Sequence, residues 1–250
     1  MKTAEQNYAF KRPTIAQLQR SILPLQGFRI LPTDNHINLG FHPIESAFPN
    51  ATFPVGCTHE FLTASQQDSA ATYGFLAFML SRLLQFQGAA IWISTSRTLF
   101  PGALQNFGIN PDKIIFIDLK QEKDVLYAIE EALKCKALAT VIGEIKQISF
   151  KESRRLQLAA EQSRVTGLLI RHQPKIVNPI ACVSRWHITS LPSELEDGMP
   201  GVGFPRWNVE LLKVRNGKPG KWKIEYSSNR LQEIKENFYS TREIQQLKTG

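Results

Sequence analysis

Long apolar runs are missing from this 250-residue chain. No stretch reaches the roughly 18 apolar residues that a membrane span needs, so none is expected. The opening Met1-Lys-Thr-Ala-Glu-Gln-Asn7 has no apolar secretory core, and a cytoplasmic location is expected. Cysteine is scarce: Cys57, Cys135 and Cys182 are scattered, with no CxxC and no Cys/His ligand spacing. That pattern argues against a disulfide framework and against zinc, and reduced, mostly buried thiols are expected. What remains is ordinary, 42% hydrophobic and 21% charged, as in one globular domain with or without appendages.

Acidic residues are also scarce in one region. Between Lys146 and Lys223, 14 Lys and Arg stand against 6 Asp and Glu, a surplus of 8 that equals the chain's whole net charge of +8. Such an asymmetry points to a polyanion or an acidic protein face; a merely soluble basic surface is the alternative.

The apolar pattern alternates between two periods. Residues 58–62, 88–94, 114–118, 137–144 and 166–171 read as buried strands. Helical stripes fall at 72–84, 122–134 and 153–163, with 99–107 helical or turn-like. This order predicts βαβ units and a mainly parallel sheet flanked by helices, an α/β fold. Beyond His172 the texture becomes antiparallel, with strands at 181–191, 206–215 and 221–226. The last two form a hairpin around Asn216-Gly-Lys-Pro-Gly220, placed at the sheet edge. A Gly/Pro-rich loop covers 195–205. An amphipathic helix is expected at 14–23, with Thr14 as its cap, and a helical turn within 38–48. The expected division is an N-terminal helix and linker (1–37), a core (38–228) and a polar, weakly helical tail (229–250).

The most informative absence lies after the first strand. A phosphate-binding loop is Gly-rich and carries Lys followed by Ser or Thr. The corresponding stretch here, Thr63-Ala-Ser-Gln-Gln-Asp-Ser-Ala-Ala71, has no Gly and no Lys, and places Asp68 where a phosphate needs a cation. Residues 64–71 are expected to be a loop. Asp68 reads either as a helix N-cap or as a device that closes an anion site. His59 has no ligand partner in spacing and reads as a packed, hydrogen-bonded side chain. Arg154 and Arg155 read as a solvated helix face or a partner site.

A second candidate is the C-terminal hairpin. Arg206, Lys213, Arg215, Lys218, Lys221 and Lys223 are interleaved with Trp207 and Trp222. Cations meet phosphates, and an exposed Trp stacks on a base for roughly 1–3 kcal/mol. The alternative is that both Trp rings cover the core and the charges are only solvated.

The stretches Phe53-Pro-Val-Gly-Cys-Thr-His-Glu-Phe61, Ala128-Ile-Glu-Glu-Ala-Leu-Lys-Cys135 running on to Ile145, Ser153-Arg-Arg-Leu-Gln-Leu-Ala-Ala-Glu161, Thr166-Gly-Leu-Leu-Ile-Arg171 and Gly203-Phe-Pro-Arg-Trp-Asn-Val-Glu-Leu-Leu212 with Gly217-Lys-Pro-Gly-Lys-Trp222 resemble the ImuA family. These are RecA/SulA-related accessory proteins of error-prone translesion DNA synthesis. The resemblance implies a RecA-like P-loop core with a degenerate loop. Thr63 takes the place of a loop Gly, and Asp68-Ser69-Ala70 that of the final Gly-Lys-Thr. Ser96 takes the place of the general-base Glu, and Glu144 remains where a Mg²⁺-supporting carboxylate would sit. Glu144 then reads as a remnant of a metal site, or as a carboxylate paired with Arg154 or Arg155. Hydrolysis is not expected and no cofactor is required, while ATP binding through backbone N–H groups stays open. The counterparts of RecA's DNA-binding loops, 146–150 and 172–179, are short, with Lys146, His172 and Lys175 and the adjoining Arg171. The implied function is that of a non-catalytic adaptor in the SOS response. Its implied partners are RecA, an ImuB-like Y-family polymerase relative and an error-prone replicative polymerase subunit, with weak DNA binding left open. An atypical ATPase or DNA-binding protein and a SulA-like division inhibitor are the alternatives.

Overall fold

The computed structural model describes residues 40, 42–85, 88–194 and 203–234. The helix expected at 14–23, most of the 195–205 loop and the tail from 235 lie outside the described residues.

Nine strands form one sheet in the order β3-β2-β4-β5-β1-β6-β7-β8-β9. The first six are β1 (Thr58–Thr63), β2 (Ala89–Ser94), β3 (Ile114–Asp118), β4 (Leu138–Ile145), β5 (Thr166–His172) and β6 (Ser184–Leu191). All of their mutual pairings are parallel. β7 (Arg206–Val214), β8 (Gly220–Ser227) and β9 (Arg230–Glu233) continue the sheet antiparallel from β6. The sheet is thus α/β and mostly parallel with an antiparallel flank, as a RecA-like core requires. The predicted hairpin is β7–β8, but it is not the edge. Arg230-Leu-Gln-Glu233, expected within a weakly helical tail, pairs with β8 and forms that edge.

The continuous apolar strands are explained by burial on both faces. Helix α1 (Gln66–Leu83) covers one face, where Phe75, Phe78 and Met79 pack with Phe61, Ile142, Leu168, Ile170 and Trp186. Helices α2 (Glu122–Lys134) and α3 (Phe150–Ser163) cover the other, against Val141, Leu169 and Ile145. Gly143 permits the close approach of α2, because a Cβ there would sit 2.2 Å from Ile129 Cδ1. Helix α3 begins three residues before the stripe that announces it: Ser149 and Glu152 form a reciprocal capping box.

Two polar groups sit deep in the sheet. His59 on β1 stacks on Phe53 with ring centroids 4.4 Å apart. Its Nε2 faces Pro54 O at 2.9 Å and its Nδ1 faces Ser184 Oγ at 2.6 Å, so the expected packed histidine is observed. On the same strand Glu60 is fully buried and binds Arg171 Nη1 at 2.6 Å and Arg185 Nε. One carboxylate therefore joins β1 to both of its neighbours.

Glu60→Ala leaves two guanidiniums without their counter-ion. We expect a loss of about 3–5 kcal/mol in urea unfolding, against less than half of that for Arg185→Ala, whose side chain reaches solvent. Burial lowers the His59 pKa from 6.5 to about 4, partly opposed by the Pro54 carbonyl. The unfolded chain binds this proton near 6.5 and the folded chain only near 4. Stability is therefore full above 6.5 and falls through that window, by at most about 1.4 kcal/mol per pH unit from this group. His59→Gln should flatten the slope there in parallel unfolding titrations.

Candidate functional site

In open α/β sheets, sites form beyond the carboxyl ends of the strands. Here Thr63 ends β1, Ser94 ends β2, Glu144 lies next to the end of β4 and His172 ends β5. All belong to the adjacent strands β2-β4-β5-β1, so four distant segments of sequence converge.

The connection from β1 to α1 consists of Ala64 and Ser65 alone. The expected loop over 64–71 is not formed, because α1 starts at Gln66. Ser65 is the N-cap: its Oγ accepts the Asp68 N–H at 3.1 Å. Asp68 is therefore not the cap. It stands in the helix's first turn and reaches back, Oδ2 accepting the Ala64 N–H at 3.0 Å, with His187 Nε2 3.5 Å away. Its carboxylate thus occupies ground where an anion would meet the helix N-terminus. Ser69 Oγ is turned inward, 3.0 Å from Ser65 O and 3.2 Å from Thr63 Oγ1. Ala70 faces solvent, and Ser96 is exposed in the bend after β2.

Glu144 is buried, and neither Arg154 nor Arg155 reaches it; Arg155 pairs with Glu130 instead. The Glu144 carboxylate accepts Trp92 Nε1–H at 2.6 Å and Tyr73 O–H at 2.9 Å, and meets His172 Nε2 at 2.7 Å. His172 Nδ1 lies 3.1 Å from Thr63 Oγ1 and 3.3 Å from Ser69 Oγ. Burial, then the Glu144 charge, push the Tyr73 phenol up from its usual pKa. Tyr73, Trp92 and His172 were not legible as partners of Glu144. The one available signal was that 144 and 172 close consecutive parallel strands, which brings their side chains together.

Ser69, His172 and Glu144 have the connectivity of a nucleophile, base and acid. The Ser69 N–H, however, is bonded to Ser65 O at 3.1 Å inside the helix and offers nothing to an oxyanion. The cluster is a closed polar latch across β1, α1, β2, β4 and β5. Among the described residues, no group of three or more His, Cys, Asp and Glu is placed to hold a metal.

The basic candidates divide by burial. Arg171 is fully buried against Glu60, so it does not meet nucleic acid or a partner at the folded surface. It was misread because it follows an apolar run, whereas β5 is an interior strand. Arg206 binds Glu194 and Glu225, both at 2.6 Å, and these bonds raise its pKa. Lys221 binds Glu210 at 2.6 Å, and Arg215 lies 3.8 Å from Glu161. Lys223 is half-buried, while Lys146, Lys175, Lys213 and Lys218 are exposed. Trp207 is only 4% exposed, 6.1 Å from the Phe75 ring and 6.1 Å from Tyr226. It covers the core and cannot stack on a base. Trp222 is half-buried against the same core and lies over Gly220. Within the hairpin, Arg206 and Lys221 are therefore paired with its own Glu225 and Glu210. Among the described residues no helix is long and apolar enough to cross a membrane.

Replacing Glu144 by Ala strands the Trp92 and His172 ring N–H groups. We expect a loss of about 2–3 kcal/mol in urea unfolding, whereas Tyr73→Phe, which keeps the other two bonds, costs about 1 kcal/mol.

No protein-family model matches the chain. It is similar to Protein ImuA from two strains of Caulobacter vibrioides, 30% identical over 198 residues, which span 74% of this chain and 81% of the relative. A shorter match, 31% identical over 83 residues, joins it to Cell division inhibitor SulA of Photorhabdus laumondii and spans 33% of this chain and 47% of that protein. The first likeness runs through most of both partners, and on that basis the chain belongs to the ImuA family.

Proposed function

We propose that this chain is a non-catalytic accessory protein of SOS-linked, error-prone DNA repair, acting through protein contacts. Its kinship with ImuA, together with the partial match to SulA, supports a DNA-damage-linked accessory role. The finer reading assigns it contacts with RecA and with an ImuB-like Y-family polymerase component, and through them with an error-prone replicative polymerase in translesion synthesis. ATP is not its cofactor in this reading.

One observation carries the non-catalytic part. The strand-to-helix connection that would cradle phosphates is two residues long, and the carboxylate of Asp68 already takes the Ala64 N–H. A negative charge there repels phosphate, no Lys stands in the segment to offset it, and Ser96 offers no base near neutral pH. Hydrolysis needs positioning and charge neutralisation together, and this edge supplies neither.

A fluorescent ATP analogue with Mg²⁺ should give no saturable binding to the purified protein, and turnover should match that of Asp68→Ala and Glu144→Gln variants. Turnover clearly above those variants would establish the atypical ATPase instead. Tagged full-length protein recovered from cells after DNA damage should carry RecA or polymerase components. The SulA match favours a second reading, a division inhibitor. In that case the same recovery yields a division protein and the cells filament on overexpression.

A further inference from the structure

The ion network around Glu60 does more than join strands. Arg171 Nη2 donates to Ile176 O at 3.1 Å and to Asn178 Oδ1 at 3.0 Å, and Arg185 Nη2 donates to Asn178 O at 2.8 Å. The buried Arg171 and the partly exposed Arg185 thus grip the loop after β5 from below. The loop is also tied sideways to the start of α3. Asn178 Nδ2 donates to Ile148 O at 2.9 Å, and the Ala181 N–H donates to Ser153 Oγ at 3.0 Å.

The side chains carried by this restrained backbone point the other way. Ile176 is 70% exposed and Val177 50%. Phe150, which lies between the two tie points on α3, is 58% exposed. Single exposed apolar residues are ordinary, but Phe150 stands two residues from Ile148, whose carbonyl Asn178 binds next to Ile176 and Val177, and three on two segments so joined are of the kind that marks an interaction site. Because its backbone is already fixed, docking there costs little ordering entropy.

The rim is mostly basic. Lys151, Arg154 and Lys175 are exposed and have no acidic partner among the described residues, and Lys146 reaches Glu122 only at 3.9 Å. Glu152, between Lys151 and Arg154 in sequence, is bound to the Ser149 cap; that bonding lowers its pKa and keeps it a carboxylate, which the cations around it outnumber. This corner is thus net basic beside exposed apolar side chains.

We infer that Phe150, Ile176 and Val177 form a rigid docking ledge for an acidic, amphipathic protein segment, its apolar residues on the ledge and its carboxylates against Lys151, Arg154 and Lys175. A nucleic acid would satisfy the cations but leave the aliphatic side chains against phosphate and sugar, so the mixed apolar and basic character selects a protein. The ledge names a face for the contacts proposed above and rests on the reading that the chain acts by protein contact.

The test places the photo-cross-linker p-benzoylphenylalanine at position 176 and, as a control, at exposed Leu212 of β7 in the full-length chain expressed in cells. The cross-linked segment is identified by mass spectrometry, synthesised, and titrated against purified protein by fluorescence anisotropy. We expect an adduct from 176 and not from 212, to a segment of net negative charge. Its affinity should fall about tenfold on Ile176→Asp and on Arg154→Glu with Lys175→Glu, weaken with salt, and be unmoved by Lys213→Glu. All substituted side chains are exposed, and unchanged melting checks that the variants fold. No adduct at 176 above the control, an adduct to nucleic acid, or a neutral or basic segment overturns the proposal. Recovery of damage-induced partners that cross-link only from 212 sinks the ledge and spares the accessory role. An acidic segment from a protein unrelated to DNA damage does the reverse.

Discussion

Glu60 is the constraint on which the centre of this molecule depends. A carboxylate fully enclosed at the middle of a parallel sheet is costly to desolvate unless its charge is met. Arg171 from β5 and Arg185 from β6 meet it from both sides, which fixes the three central strands in one register. The neighbouring His59 reinforces the same arrangement as a neutral ring. Its Nδ1 meets the Ser184 hydroxyl, which also accepts the Trp186 N–H at 2.7 Å. Trp186 in turn anchors an aromatic cluster, with Phe48, Phe61 and Phe75 all within 6.0 Å. Two adjacent polar residues of β1 thus organise opposite sides of the sheet, one through ions and one through a neutral chain of bonds.

This polar spine also decides what the carboxyl edge of the sheet becomes. With β1, β5 and β6 locked, α1 starts two residues after β1 and brings Ser69 and Tyr73 over the ends of β4 and β5. The space in which a phosphate cradle would lie is filled by the protein's own donors and acceptors. The short loop after β5 is likewise held by the guanidiniums beneath it, while Ile176 and Val177 face outward.

Much of the fold was legible because burial on two faces writes itself into sequence as continuous apolar runs. Five parallel strands and the helices α2 and α3 stand close to where those runs place them. The errors arise where local pattern reports neither capping geometry nor distant neighbours. Residues 66–69 are polar and read as part of a loop, yet the Ser65 cap and the Asp68 back-bond start a helix there. Arg230-Leu-Gln-Glu233 has a single buried side chain, too little for a periodic signal, but the open side of β8 recruits it. Charge alone could not separate Arg171, sealed under the sheet, from Lys175 four residues on at the surface. Alternation likewise left Trp207 and Trp222 alike, although only the first is driven under α1.

The latch around Glu144 follows from energetics as well as from geometry. A carboxylate at this depth, in a core without a resident cation beside it, requires donors from the protein itself. Trp92 and Tyr73 each give one, from the next strand and from the covering helix, and His172 closes the set from β5. Such a network is worth keeping only when it is complete, because each missing member leaves another unsatisfied. Replacing its members one at a time would pass through those incomplete states. Tyr73, Trp92 and His172 should therefore be retained together with Glu144 or lost together with it, as one structural unit.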